Sequence, residues 1–139
     1  MKNYRILNTK GILLDKYQLG KYLEKLASDH VLKEKSDKNT YPIPRLISNF
    51  EVITTVYNLL NEHIKLKMPI HPAGEWLLDN YYVIEEAVKS IEKDLSPKKY
   101  VNFLGIANGV NYGFARIYVL ATEIISYTDG AVTKDLLTE

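Results

Sequence analysis

The side chains best spaced for chemistry lie in one short stretch: Glu75, Asp79, Tyr82 and Glu86. Intervals of four, three and four residues place them on one face of a helix. Two carboxylates flanking one bond are what glycoside hydrolysis requires, one as acid and one as base or nucleophile. The pattern also has a plainer cause. Acids near a helix start interact favourably with its dipole, and acids beside a core stripe often belong to ion-pair networks. We therefore expect no catalytic residue, and an independent enzyme working through Glu75 and Glu86 is the least supported reading.

The arginines point towards structure. Only Arg5, Arg45 and Arg116 break the run of lysines among the 18 basic residues. Arginine suits fixed, partly buried pairing, whereas lysine is the more easily solvated charge. Arg45 precedes Leu46 and Ile47, and Arg116 lies between Ala115 and Ile117. At least one of the two is expected to pair with Glu75 or Asp79 inside the protein. Breaking a buried pair of that kind costs about 3–5 kcal/mol.

Other chemistries lack their residues. With no cysteine, thiolate catalysis, disulfides and the usual structural zinc sites are excluded. His30, His63 and His71 are not spaced as a ligand pair and no HExxH occurs, so no metal is expected, and His71 before Pro72 reads as a helix-entry residue. No glycine loop is built to cradle phosphate and no GxSxG elbow is present. No cofactor is expected. A net charge of +1 gives no field for nucleic acid, and no apolar run is long enough to span a bilayer. No signal-peptide core follows Met1.

Aromatic residues offer a second opening. Eleven tyrosines and one tryptophan are present. Trp76, Tyr81, Tyr82 and Tyr112 are the candidates for stacking on sugar rings. Helical proteins also bury tyrosine bodies while wetting the hydroxyl, which is the default for such residues.

The elements that must position these side chains are helices. Ile12, Leu13, Tyr17, Leu19, Tyr22, Leu23, Leu26 and Ala27 recur at helical intervals, and Gly20 among them is read as a close helix crossing. The polar run 33–40 reads as a solvated linker. Pro44 suits the first turn of a second helix reaching about residue 67, and Pro72 the first turn of a third reaching about 95. In the third, Trp76, Leu77, Tyr81, Ile84, Val88, Ile91 and Leu95 form a stripe, and Trp76 and Leu77 are expected inside. Pro97 starts a short fourth helix, residues 114–127 form a fifth, and Thr128-Asp129-Gly130 stops it. Residues 133–139 read as the opening turns of another helix at a domain edge. Strand alternation is almost absent. The expected fold is all-α, a single helical bundle of about five helices, with residues 1–139 as one domain.

Three segments together resemble a known family. Pro42-Ile43-Pro44-Arg45-Leu46-Ile47-Ser48-Asn49 is similar to a PLPRL-type opening. The block from Pro72 through Glu75-Trp76-Leu77-Leu78-Asp79-Asn80-Tyr81-Tyr82 to Glu86 is similar to an acidic, aromatic helix. Phe114-Ala115-Arg116-Ile117-Tyr118, with Ala121 and Thr128-Asp129-Gly130, is similar to a PRVY-type segment. Their order resembles the amino-terminal region of cyclic β-1,2-glucan synthases. Two departures stand out: Ala115 replaces a proline before Arg116, and Pro97 lies one place beyond its expected position.

The resemblance implies a large glucosyltransferase acting on UDP-glucose, with a phosphorylase-like module and membrane spans elsewhere in its chain. It carries no catalytic residue onto this sequence. It implies instead an amino-terminal helical module on the cytoplasmic face, with downstream domains of the same polypeptide as partners. Arg45, Asn49, Glu75, Trp76, Asp79, Asn80 and Arg116 are then its internal polar scaffold. Two alternatives stand beside that reading: a carbohydrate-binding module holding the glucan or its primer, and an independent helical interaction protein.

Overall fold

A computed structural model describes residues 11–138. It is about 66% helical, with six helices among the described residues, four of them seven residues or longer. In order they are α1 (Lys16–Asp29), α2 (Ile43–Lys65), α3 (Pro72–Asp94), α4 (Pro97–Val101), α5 (Arg116–Thr128) and α6 (Lys134–Leu137). Two two-residue strands, β1 (Leu32–Lys33) and β2 (Gly105–Ile106), pair antiparallel with Leu32 opposite Ile106. The mainly helical class read from the periodicity is the one observed. The chain divides into two compact units, one formed by Tyr41–Ser96 and the other by the described residues before and after it.

The unit from Tyr41 to Ser96 is an antiparallel hairpin of α2 and α3. Pro44 and Pro72 occupy the first turns, as their fixed φ and missing N–H favour. His71 is the helix-entry residue expected of it, its Nδ1 accepting from Ala73 N–H at 3.2 Å. At the closed end of the hairpin Gly74 meets Leu60 and Ile70 so closely that a Cβ would lie 2.9 Å from each. At the open end the Tyr41 hydroxyl donates to the Leu95 carbonyl at 2.6 Å. Between them, Phe50 and Tyr57 stack on Tyr81, whose hydroxyl is 3.0 Å from Thr54 Oγ1. Ile43, Tyr81 and Val88 are buried.

The other unit pairs α1 with α5 and carries the small sheet. α1 starts at Lys16 because Asp15 and Gln18 close a reciprocal capping box, so Ile12 and Leu13 lie outside the helix and exposed. Leu19, Tyr100 and Val119 are the buried residues of its helices, and full burial of a leucine contributes about 1.5–3 kcal/mol. Asp129 and Gly130, both at positive φ, end α5 at the predicted stop. Gly20 has open space where a Cβ would stand, so it marks no close crossing.

Residues 33–40 are not a solvated linker. Ser36 and Thr40 are buried, and a short 3₁₀ turn spans Lys38–Thr40. Ser36 Oγ donates to the Tyr100 carbonyl at 2.6 Å. Thr40 Oγ1 lies 2.8 Å from the Asp37 carbonyl, 3.0 Å from that of Gly113 and 2.9 Å from the Tyr100 hydroxyl. The threonine has one proton, directed at the two carbonyls, so the tyrosine hydroxyl donates to it. That hydroxyl in turn accepts from Ala115 N–H at 3.2 Å. Buried polar atoms need such partners, and this network supplies them.

Candidate functional site

The third helix carries most of the candidate residues, and its contact line with α2 sets where each one faces. Tyr57 on α2 and Tyr81 on α3 mark that line, with ring centroids 3.9 Å apart. Tyr81 is only 6% exposed and its hydroxyl is engaged by Thr54, so it is not a sugar contact. Tyr82 is 64% exposed, with its ring edge-on to both Tyr57 and Tyr81.

Trp76 lies outside, at 60% exposure, contrary to the expectation that it forms the interior of the fold. The reason is the width of the apolar stripe. A single partner helix covers a narrow band about Tyr81 and Val88, and residues near the edges of the stripe stay in solvent. Ile91 is exposed for the same reason, while Leu77 is half-buried.

The exposed apolar residues follow a pattern. On α3, Trp76, Val83 and Ile91 fall roughly 80–160° round the helix from Tyr81, counted at 100° per residue. On α2, Val52, Val56 and Leu59 fall about as far round from Tyr57, in the same rotational sense. In an antiparallel pair, equal offsets of the same sense bring both stripes to one side of the hairpin. That side therefore carries solvent-facing apolar side chains along its middle, with Arg45, Asn49 and Asp94 on the same side towards the open end. An exposed apolar stripe of this kind is unusual for a surface that stays unpartnered.

The opposite side is acidic and polar. Glu75, Asp79, Tyr82 and Glu86 occupy it on α3, and Glu51, Asn58 and Glu62 occupy it on α2; all are exposed. The helical spacing therefore does gather the four α3 residues on one face, as read from the sequence. Acid–base hydrolysis needs two carboxyl groups in unlike environments, whereas Glu75, Asp79 and Glu86 are all open to solvent.

The expected arginine–carboxylate pairing is not formed. Neither Glu75 nor Asp79 takes part in an ion pair among the described residues. Arg45, Asn49, Glu75 and Asp79 are exposed rather than internal, and the Asn80 amide donates to the Trp76 carbonyl at 2.8 Å within its own helix. Arg116 is half-buried and donates to the Ala27 carbonyl at 3.3 Å.

Tyr112, in the other unit, is 57% exposed, and Lys33 Nζ lies 4.4 Å from its ring centroid. The same ammonium bonds Asp37 at 2.6 Å, which raises its pKa chiefly through that hydrogen bond. Among the described residues no group of acids and histidines is placed to hold a metal ion, and no helix is long and apolar enough to cross a membrane.

Sequence reasoning missed the polar network that joins Ser36 and Thr40 to Tyr100, which lies 64 and 60 residues further along the chain. It also missed Asn108, which donates to the Asp29 carbonyl at 2.8 Å and accepts from Val31 N–H at 2.9 Å. The one available signal was Asn108-Gly109 as turn residues, which gives a loop without a destination.

Comparison with known proteins yields one relative. Over 90 residues, 65% of this chain, the sequence is 30% identical to the cyclic beta-(1,2)-glucan synthase NdvB of Rhizobium meliloti (strain 1021). The chain is weakly homologous to that synthase. The matched region spans about 3% of the length of the relative. No family model matches, and no solved structure matches. The relative belongs to the family that the Pro42, Pro72 and Phe114 segments resemble.

Proposed function

We propose that this chain is a non-catalytic helical module of a cyclic β-1,2-glucan synthase, seated through the apolar side of the α2–α3 hairpin on another part of that enzyme. The observation that carries the reading is the stripe of Trp76, Val83 and Ile91 beside Val52, Val56 and Leu59, exposed on one side of a hairpin whose opposite side is charged. A surface of that kind gains free energy when a partner removes it from water, at roughly 25 cal/mol per Å² of apolar area. The relative extends far beyond the matched 90 residues, which supplies room for such a partner within one polypeptide. In keeping with the resemblance, the module works on the cytoplasmic face of the membrane, and its role is to dock or regulate the glucosyltransferase.

The test is complementation. A cyclic β-1,2-glucan synthase lacking the segment matched here is co-expressed with this chain, and glucan output and co-purification are measured. The wild-type chain is expected to bind and restore output, whereas the double change Trp76→Asp and Val83→Asp abolishes both without loss of helical circular dichroism. Equal binding by the two chains, or none by either, overturns the proposal.

A second reading is favoured by one observation. Tyr82 is solvent-facing on the same side of α3 as the carboxylates of Glu75 and Asp79. An aromatic face beside carboxylates is chemistry that grips a glucan. Titration with linear β-1,2-glucan decides it: binding heat lost in Tyr82→Ala supports a carbohydrate-binding module, and no heat with the wild-type chain ends that reading.

A further inference from the structure

The end of α1 is held to the segment leading into α5 by side chains. Arg116 donates to the Ala27 carbonyl at 3.3 Å, and Asn108 donates to that of Asp29 at 2.8 Å while accepting from Val31 N–H at 2.9 Å. The Ala107 N–H then donates to the Val31 carbonyl at 2.7 Å. Thus two carbonyls in the last turn of α1, left over by the helix, are taken up from across the unit.

His30 sits in the middle of this junction, as the residue that caps α1. Both of its ring nitrogens are buried and have no hydrogen-bond partner, and the Arg116 Nε beside it is likewise buried without an acceptor. The charged groups acting on the ring are Arg116 from α5 and Asp29 from α1. A neutral imidazole is tolerated there. An imidazolium brings a second cation beside the guanidinium, in a place where neither of its N–H groups finds an acceptor.

We infer that this junction is a proton-operated latch: protonation of His30 releases the end of α1 from Arg116 and Asn108 and loosens α1 against α5. Two influences oppose the release, the carboxylate of Asp29 and the negative end of the α1 dipole, which favours a cation. They do not win. The histidine pKa is lowered from its ordinary 6.5, first by burial and then by Arg116, with Asp29 only partly compensating. Because the unfolded chain takes up this proton more readily than the folded one, stability rises with pH in this interval. The stabilisation is complete above pH 6.5 and is lost as the pH falls through the lower folded value.

Amide hydrogen exchange of the intact chain at pH 5.5 and 7.5, corrected for the intrinsic pH dependence of exchange, tests the latch. Protection of residues 16–29 is expected to fall at the lower pH in the wild type, while that of 72–94 holds. In His30→Gln, which carries no titratable ring, the protection of 16–29 is expected to be the same at both values. An equal loss in wild type and variant overturns the inference. Should the variant fail to fold, NMR titration of His30 in the wild type decides, and a folded pKa at or above 6.5 overturns the inference on its own.

Discussion

Tyr57 and Tyr81 lie nearly parallel, 14° between their ring planes and 3.9 Å between centroids, and through them α2 is locked to α3. Phe50, on α2 like Tyr57, also lies near-parallel to Tyr81, with 5.8 Å between centroids and 19° between planes. The Tyr81 hydroxyl, bonded to Thr54, fixes the rotation of α3 about its axis. The choice of which residues face α2 is thereby made, and with it the exposure of Trp76 and Val83.

The first prediction concerns that contact. Tyr81→Ala should cost about 3–5 kcal/mol, the range for truncating a large buried aromatic side chain. Tyr81→Phe keeps the stack and loses one hydrogen bond, for about 1 kcal/mol. Chemical denaturation followed by helical circular dichroism measures both. A cost for Tyr81→Phe equal to that of the alanine change would mean that the hydroxyl, and not the stacked ring, holds the hairpin.

The second concerns Trp76. With most of its side chain in solvent, Trp76→Ala should alter the stability of the isolated chain by no more than about 0.5 kcal/mol, as surface changes usually do. The same change in the core of a bundle costs about 3–5 kcal/mol, so denaturation separates an exposed tryptophan from a buried one.

How far the sequence revealed the fold depends on the range of the interaction concerned. Pro44, Pro72 and Pro97 act through their own backbone, so the starts of α2, α3 and α4 were legible to within a residue. Asp129-Gly130 is as local, and the stop of α5 was legible too. Trp76 was misjudged because periodicity shows that a stripe is apolar but not how wide a band its partner covers. Thr40 and Ser36 looked like linker residues because hydroxyls in a charged run are usually wet. Their partners, Tyr100 and Gly113, come from distant segments that no local pattern connects to them. The acidic face of α3 was legible as a face, since it follows from spacing alone. That its acids form no ion pair with an arginine among the described residues was not, because pairing depends on how separate elements are placed.

The third prediction tests the buried polar network. Thr40→Val retains the shape of the side chain but removes the acceptor of the Tyr100 hydroxyl, while the Asp37 and Gly113 carbonyls keep the backbone N–H groups of Thr40 and Asp37. The buried hydroxyl so stranded costs about 1–3 kcal/mol. Thr40→Ser should be much milder. Gly113→Ala should also destabilise this unit, because Gly113 has φ of 85° and a Cβ there would run into the carboxylate of Asp37. If Thr40→Val and Thr40→Ser melt alike, the hydroxyl contributes nothing that its shape does not.

The last prediction concerns the other attachment between α1 and α5, where the Tyr22 hydroxyl donates to Glu123 Oε2 at 2.9 Å and the Tyr22 ring lies 4.8 Å from that of Tyr127. Burial, and after it the Glu123 carboxylate, push the phenol well above the ordinary tyrosine range. The unfolded chain loses this proton near pH 10, whereas the folded chain keeps it to higher pH. The folded state therefore binds more protons in that interval, and stability falls as pH rises. The contribution is whole below about pH 10 and drains away as the folded phenol finally ionises. Denaturation between pH 8 and pH 11 should show this decline. In Tyr22→Phe the decline should be shallower, because position 22 no longer has a proton to lose, and what remains reflects other tyrosines such as Tyr41 that are also shifted upward. Glu123→Gln should give an intermediate slope, since it removes the nearby negative charge but leaves the phenol buried. Parallel curves for the wild type and Tyr22→Phe would show that this contact titrates no differently from an exposed phenol, and that α1 is held to α5 by other means.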